Sequence, residues 1–352
     1  MRIIHFIYDH INNPWVGGGG AVRAFEIYKR LAKKGYQITV VSGNYPKAQE
    51  GEKESIKFLF LGSDKNYIIS TFSYALRAKS FLGKHYKDYD LIVEDFAPWN
   101  PIFAYRYQDK KPVVLQLQNY EGINILKKYF LLGLPFFLVE RFYPKRYKHI
   151  ISLSEFLNRA YKIKAQVIPS GVDKVENGFE LGHYVAYLGR LDITQKGLDL
   201  LAKAIKELKH IKFKIAGDGK DREKFLKMVD GCKNMEYLGR LTGEEKVNFI
   251  KGSKFLVMPS RYEGQGIVAL ESASCGKPVI VSDIPVFSYV VQAGFGVSFR
   301  KDDPKDLTEK IKFLYERDDL VLEMGKKGVE FAKEHTWDKI SERYEEYIKS
   351  LA

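Results

Sequence analysis

Apolar residues recur along this chain in two rhythms. Short uninterrupted runs, such as residues 2 to 8, Phe255-Leu-Val-Met258 and Pro278-Val-Ile-Val281, read as strands buried on both faces. Between such runs lie stretches where apolar positions return every three or four residues. Ala21, Ala24, Phe25, Tyr28, Leu31 and Ala32 do so before Gly35, which predicts a helix with one core-facing stripe and a glycine stop. Further strands are expected at about Ile56 to Leu61, Tyr89 to Glu94, Val113 to Leu117, His149 to Leu153, Gln166 to Ile168 and residues 183 to 189. Strand and helix in alternation predict an α/β fold with parallel sheets.

The rhythm breaks at Pro169-Ser-Gly-Val-Asp173 and the following Lys174-Val-Glu-Asn-Gly178, a turn-rich stretch without periodicity. A boundary here divides the chain into domains 1–168 and 169–336, and 352 residues leave room for a core in each. Phe213-Lys-Ile-Ala-Gly-Asp-Gly219 and Tyr237-Leu-Gly-Arg240 read as strand and turn in the second half. Thr242-Gly-Glu-Glu245 reads as a capping box opening a helix. Asp303-Pro304 opens another, and Trp337 to Leu351 reads as a last amphipathic helix.

Composition narrows the class. Hydrophobic residues make up 45% and aromatics 14%, which is globular. The two cysteines, Cys232 and Cys275, have no metal-ligand spacing and provide no disulfide framework, which suits a reducing compartment. Neither a signal peptide nor an 18-residue apolar run is present, so the expected location is cytoplasmic, with room for peripheral attachment at the cytoplasmic membrane face. The net charge of +13 is uneven: residues 1 to 170 carry 26 Lys and Arg against 14 Asp and Glu, and the remainder 31 against 30. Anionic lipid, an anionic acceptor and nucleic acid would all respond to the basic half. Within it, Phe130-Leu-Leu-Gly-Leu-Pro-Phe-Phe-Leu-Val139 is flanked by Lys127, Lys128, Arg141, Lys145, Arg146 and Lys148. It reads either as a buried helix with a basic rim or as an interfacial patch for anionic membrane or a lipid-linked acceptor. Asp88-Tyr-Asp90 precedes its strand and reads as a solvated strand entrance.

Chemistry concentrates in three places. In Glu263-Gly-Gln-Gly266, followed by a helix from Ile267 to Ser274, the glycines let backbone amides approach a ligand and the helix start suits a phosphate. Glu263 and Glu271, eight residues apart, could each accept two hydroxyl hydrogen bonds and so hold two vicinal diols. In Tyr187-Leu-Gly-Arg-Leu-Asp-Ile-Thr-Gln-Lys-Gly197, Arg190 and Lys196 follow a strand and form a candidate diphosphate clamp. After the first strand, Gly17 to Gly20 precede a helix at the end where open α/β sheets bind ligands. Their spacing is not G-x-G-x-x-G and no acid ends the next strand, so a phosphate or sugar contact ranks above a nicotinamide or flavin site.

The run from Pro259 to Asp283 resembles the E-x7-E motif of the retaining GT-B glycosyltransferases of glycosyltransferase family 4, P-S-x-x-E-G-x-G-x-x-x-x-E-A-x-A-C-G-x-P-V-I. Gly189-Arg190 through Lys196-Gly197 is similar to the family's G-R-x(5)-K-G element, residues 213–219 to its G-x-G segment, and residues 168–173 to its I-P-x-G-V-D segment. The resemblance implies two Rossmann-like doubly wound parallel-sheet domains facing each other across a cleft. Residues 1–168 would take the acceptor, residues 169–336 the nucleotide-sugar donor, and the helix at about 337–352 would pack back on the first domain. It also implies transfer, with retention, from a UDP-, GDP- or ADP-sugar to an acceptor hydroxyl on a glycan or lipid-linked molecule. No metal and no cofactor are expected.

Residue by residue, the resemblance assigns Arg190 and Lys196 to the leaving phosphates, Glu263 to the donor sugar and Glu271 to the ribose. Gly18, Gly19, Gly189, Gly217, Gly264, Gln265, Gly266 and Ile267 would line the donor. Where many family members carry a histidine near the transferred sugar, this sequence has Gln118-Asn119, so that contact is amide-based or comes from elsewhere, such as His10. Gln265 replaces an aromatic that is common in the motif. Two alternatives share some of these features: a sugar-nucleotide epimerase or hydrolase on the same fold, and a basic protein that binds nucleic acid or membrane. Nucleic acid is not an expected partner, because it would leave Glu263, Glu271 and the clamp without a task.

Overall fold

The structure is a computed structural model that describes residues 1–15, 18–175 and 180–351. Gly17 of the glycine run and Glu176, Asn177 and Gly178 of the turn-rich stretch lie outside the described residues. The chain forms two compact units, Met1–Ser170 with Trp337–Ala352, and Gly171–Thr336.

The first unit is built on strands β1 (Arg2–Phe6), β2 (Gln37–Gly43), β3 (Gly51–Lys53), β4 (Ile56–Leu61), β5 (Leu91–Asp95), β6 (Val113–Leu117), β7 (His149–Ser152) and β8 (Gln166–Val167). Their order is β3-β4-β2-β1-β5-β6-β7-β8, parallel except for β3. In register, Ile3 lies between Ile38 and Leu91. Ile3, Ile4, Val41, Ile92, Val93 and Leu115 are all at most 1% exposed, because helices cover both faces of the sheet. These helices are α1 (Gly19–Lys33), α2 (Tyr67–His85), α3 (Asn124–Tyr129), α4 (Leu134–Phe142) and α5 (Glu155–Tyr161). The antiparallel β3 has no counterpart in the apolar pattern: Gly-Glu-Lys is exposed throughout, pairs with β4 through its backbone, and sets the Lys53 ammonium over the Phe25 ring at 5.4 Å. Asp90 stands at the solvated entrance of β5, where its carboxylate accepts from the Arg2 amide at 2.8 Å and the Arg2 guanidinium at 2.9 Å.

The second unit has strands β9 (Tyr184–Leu188), β10 (Phe213–Ala216), β11 (Met235–Tyr237), β12 (Ser253–Met258), β13 (Val279–Ser282) and β14 (Gly296–Phe299), all parallel, in the order β11-β10-β9-β12-β13-β14. Its helices are α6 (Ile193–Lys196), α7 (Leu198–Glu207), α8 (Arg222–Met228), α9 (Gly243–Lys251), α10 (Ile267–Ser274), α11 (Ser288–Gln292), α12 (Pro304–Tyr315) and α13 (Asp318–Lys333). Leu201, Ile205, Phe213, Phe255, Val257 and Ile280 make the centre of one core, each at most 1% exposed. The capping box expected at Thr242 does not form: Thr242 precedes α9, but its side chain makes no capping bond. Gly243, directly after Thr242, has φ 53°, so the backbone does not follow the helical path on which a capping box depends.

The last helix, α14 (Trp337–Lys349), returns to the first unit and packs on α1. Arg23, only 1% exposed, donates to the Ile168 carbonyl at 2.7 Å and lies over the Tyr344 ring, while Tyr28 and Tyr344 join hydroxyls at 3.1 Å. Glu345 receives Lys34 at 2.5 Å and Tyr36 at 3.0 Å, and its neighbouring lysines hold its carboxyl down at about 2.

Candidate active site

In both units strand order reverses next to the first strand, between β1 and β5 and between β9 and β12. The carboxyl ends of strands at such a point open a crevice, which is where ligands of open α/β sheets lie. In the second unit β9 delivers Gly189 and Arg190 to this end, β10 delivers Gly217, and β12 runs into residues 259–266 and α10. Gly189 and Gly217 touch: a side chain on Gly217 would collide with the Gly189 carbonyl oxygen. Gly266 caps α10 in the left-handed region at φ 80°, with the Phe287 ring against it, so only glycine fits. Ile267 opens the helix, whose first turn carries no acid, and its unpaired amides and dipole favour an anion.

The loop before α10 is braced from several sides. Arg261 grips Asp199 with both terminal nitrogens at 2.9 and 2.8 Å and Asp302 through Nε at 2.5 Å, and these hydrogen bonds raise its pKa further. The Tyr289 hydroxyl donates to the carbonyls of Gln265 at 3.2 Å and Gly266 at 3.4 Å. Gln265 itself is buried, and Gly264 between it and Glu263 is half-buried.

Inside this frame each motif carboxylate holds a lysine. Glu263, 9% exposed, pairs through Oε1 with the Lys196 ammonium and accepts the Ser260 hydroxyl at 2.8 Å. Lys196 is the last residue of α6, a single turn capped by Asp192, whose carboxylate accepts the Gln195 amide at 2.9 Å. Glu271, one turn deeper in α10, pairs with Lys246 of α9 at 2.7 Å. Arg190 is exposed, and its guanidinium makes no hydrogen bond or ion pair with a described residue. The structure thus brings Lys196 and Glu263 into one pair and leaves Arg190 facing solvent.

The first unit gathers a second polar set at its own reversal point. Gln118, just past β6, donates through Nε2 to Asp95 at the end of β5, at 2.8 Å. Asp95 also lies 3.0 Å from His5 Nε2, and His5 is fully buried. A side chain on Gly20 would meet the Gln118 amide at 3.6 Å, and one on Gly18 would meet the Asp9 carboxylate at 3.0 Å, so the start of α1, where Gly18 caps Gly19, borders this set. Asn119 takes the Tyr161 hydroxyl on its backbone carbonyl at 2.8 Å. His10 lies on the other side of β1: its Nδ1 meets Tyr45 at 2.8 Å and its ring packs against Phe58 and Phe60. Burial, with help from the Lys53 charge, lowers its pKa to about 4, so it is neutral at pH 7.

Comparison with known proteins agrees with these two units. A family model described as glycosyl transferases group 1 matches residues 173–331, and one described as glycosyltransferase family 4 matches residues 17–176. An uncharacterized glycosyltransferase of Methanocaldococcus jannaschii is 36% identical over 201 residues, 54% of this chain and 56% of that protein. Sucrose-phosphate synthase from Thermosynechococcus elongatus has the same fold, with a TM-score of 0.81 at 16% identity over 99% of this chain and 98% of that one. HepE of Anabaena, solved in complex with UDP-glucose, matches over all of both chains with a TM-score of 0.73 at 15% identity. The chain belongs to the GT-B glycosyltransferases of family 4. It spans about half the length of its curated relative from M. jannaschii.

Four residues of this family 4 chain escaped the sequence reading. Lys246 was hidden because its partner Glu271 is 25 residues away, although its place in the first turns of α9 was a usable signal. Ser260 stands at a fixed position of the motif without a role and Arg261 at a variable one, yet the first hydrogen-bonds Glu263 and the second braces the loop. Asp95 was missed because the strand was ended at Glu94; an acid closing a central strand next to the reversal point was the available clue.

Proposed function

We propose that this chain transfers a glycosyl group, with retention and without a metal, from a nucleoside diphosphate sugar to an acceptor hydroxyl on a glycan or lipid-linked molecule. The observation that carries this reading is the pair of lysine-bound carboxylates, Lys196–Glu263 and Lys246–Glu271, at and inside the start of α10. Cleaving the bond from anomeric carbon to phosphate builds oxocarbenium character on the sugar and negative charge on the diphosphate. Lys196 has three N–H donors and spends one on Glu263, so it can bridge that carboxylate and a phosphate oxygen. Arg190 adds an exposed planar fork, and the α10 amides add fixed dipoles. Glu263 then serves the donor sugar's hydroxyls and Glu271 the ribose, with Lys246 orienting the latter. No general base is assigned; the leaving phosphate would take the acceptor proton. HepE, a neighbour in fold, was solved with UDP-glucose, which supports a nucleotide-sugar donor.

In the first unit, Asp95 fixes the Gln118 amide by taking its N–H, which leaves Oε1 to accept from a sugar or acceptor hydroxyl. The basic charge of residues 1–170 suits attachment to an anionic membrane face. No helix among the described residues is long and apolar enough to cross a membrane.

The test is calorimetric titration of UDP-, GDP- and ADP-sugars into wild type and Glu271→Ala, with EDTA present. One nucleotide should bind selectively, and losing charge-assisted ribose bonds should weaken it about 10- to 100-fold. Equal binding by the variant would remove Glu271 from the site. Donor consumption with no transferred product would move the assignment to hydrolysis or epimerisation.

A further inference from the structure

The first unit displays an apolar surface that glycosyl transfer leaves unused. On α2, Ile68, Phe72 and Leu76 stand four residues apart on one stripe and are 66%, 49% and 72% exposed. On α4, Leu134, Leu138 and Phe142 repeat that spacing at 46%, 44% and 53%. The turn before α4 holds Phe130, Leu131 and Leu132 at 78%, 86% and 83%. Aromatic contacts join the two segments: the Phe72 and Phe136 rings are 6.4 Å apart, and Trp99 packs on Phe136 at 4.6 Å and on Tyr129 at 5.2 Å. Surface helices ordinarily turn apolar stripes inward, so two outward stripes that meet mark an interaction surface.

The display is held by design of the fold rather than by loose chain. Glu140, 2% exposed, accepts the amides of Glu121 at 2.8 Å and Gly122 at 2.7 Å, which closes the segment at its base. Glu94, equally buried, accepts the hydroxyls of Tyr143 at 2.7 Å and Tyr147 at 2.5 Å just beyond α4. Glu94 of β5 therefore ties the far end of the apolar excursion to the sheet, and Glu140 ties α4 to the loop at residues 121–122.

Along α2 and residues 123–148 the exposed charge is of one sign. Helix α2 contains no Asp or Glu, and between residues 123 and 148 the single acid is the buried Glu140. The same interval carries Lys127, Arg141, Lys145, Arg146 and Lys148. A second copy applying the same face would set these cations against one another. An anionic lipid surface matches both the charge and the apolar stripes.

We propose that this surface seats in the interfacial layer of an anionic bilayer, with Leu131 and Leu132 inserted among the acyl chains. The proposal rests on the membrane attachment suggested above and sharpens it: apolar insertion holds the chain, and basic charge recruits it. The apolar part of α4 is far too short to span, so the segment lies in the surface.

Flotation of the full chain with phosphatidylcholine vesicles, with and without phosphatidylglycerol, tests this. Wild type should float with the anionic vesicles and stay bound in about 0.5 M NaCl, where charge attraction is screened. Leu131→Ser with Leu132→Ser should weaken binding about tenfold or more. Both side chains are exposed, so circular dichroism and nucleotide-sugar affinity should not change. Complete release by salt, or equal binding by the double variant, would overturn insertion while leaving charge-driven attachment standing. A dimer seen by light scattering that the double variant dissolves, without vesicle binding, would assign the surface to a second copy instead. Absence of all vesicle binding beside intact nucleotide-sugar binding would defeat both membrane statements and spare the transferase reading.

Discussion

Replacing Lys196 with methionine tests the centre of the candidate site through stability as well as chemistry. Its side chain is 16% exposed and that of Glu263 is 9% exposed, so the change leaves a nearly buried carboxylate with, among the described residues, only the Ser260 hydroxyl at 2.8 Å for compensation. Breaking a buried pair on one side costs about 3–5 kcal/mol. The remaining hydroxyl bond and the small exposure of both groups bring the expected cost to about 2–3 kcal/mol. For a unit the size of Gly171–Thr336 this is a fall in Tm of about 7 °C, readable by scanning calorimetry. Glu263→Gln removes the opposite charge and keeps an acceptor for Ser260, so Lys196→Met with Glu263→Gln should recover to within about 1 kcal/mol of wild type. The resulting coupling energy is about 2 kcal/mol. A Lys196→Met protein within about 0.5 kcal/mol of wild type, or a cycle with no coupling, would refute the pair and with it the bridging role given to Lys196.

The other predictions separate burial from chemistry. Lys246→Ala breaks a pair whose side chains are 32% and 20% exposed, so it should cost less than about 1 kcal/mol in the same calorimetric assay; a loss as large as that of Lys196→Met would show that burial is not what sets these costs. Gly266→Ala forces φ 80° on a residue with a side chain and drives it into Phe287, so a loss of about 2 kcal/mol or more is expected, and thermal unfolding near wild type would disprove the left-handed cap. His10 has a folded pKa lowered to about 4 from an ordinary value of about 6.5, so the folded state prefers it neutral. Its contribution is present above pH 6.5 and lost as pH falls from about 6.5 to 4, at about 1–2 kcal/mol after screening. Urea unfolding across that window should flatten in His10→Gln, and an unchanged slope would place the titration elsewhere.

Legibility followed how local each signal was. The runs at residues 2–8 and 255–258 appear as central strands because continuous apolar sequence has no other place than a sheet covered on both sides. The motif glycines mark their own positions, since Gly266 takes a backbone angle and a close contact that no other residue tolerates. Edges were harder: β3 carries no apolar residue, and the Thr242 cap failed on the conformation of one neighbouring glycine. The apolar stretch at 130–139 remained open between burial and display, because composition says how apolar a segment is and not which way it faces.

By itself the sequence determined the alternation of strand and helix, the glycine turns and the identity of the two motif carboxylates, all of which depend on residues within one or two turns of each other. Tertiary structure decided who meets whom. Lys196 neutralises Glu263 across 67 residues of sequence, and Gln118 finds Asp95 across 23. Arg23 occupies a core position on α1 that periodicity would give to an apolar side chain, because the Ile168 carbonyl and the Tyr344 ring, both distant in sequence, receive its guanidinium. A pairing energy depends on distance and burial, and those quantities exist only once the sheet has brought separate strands to the same end.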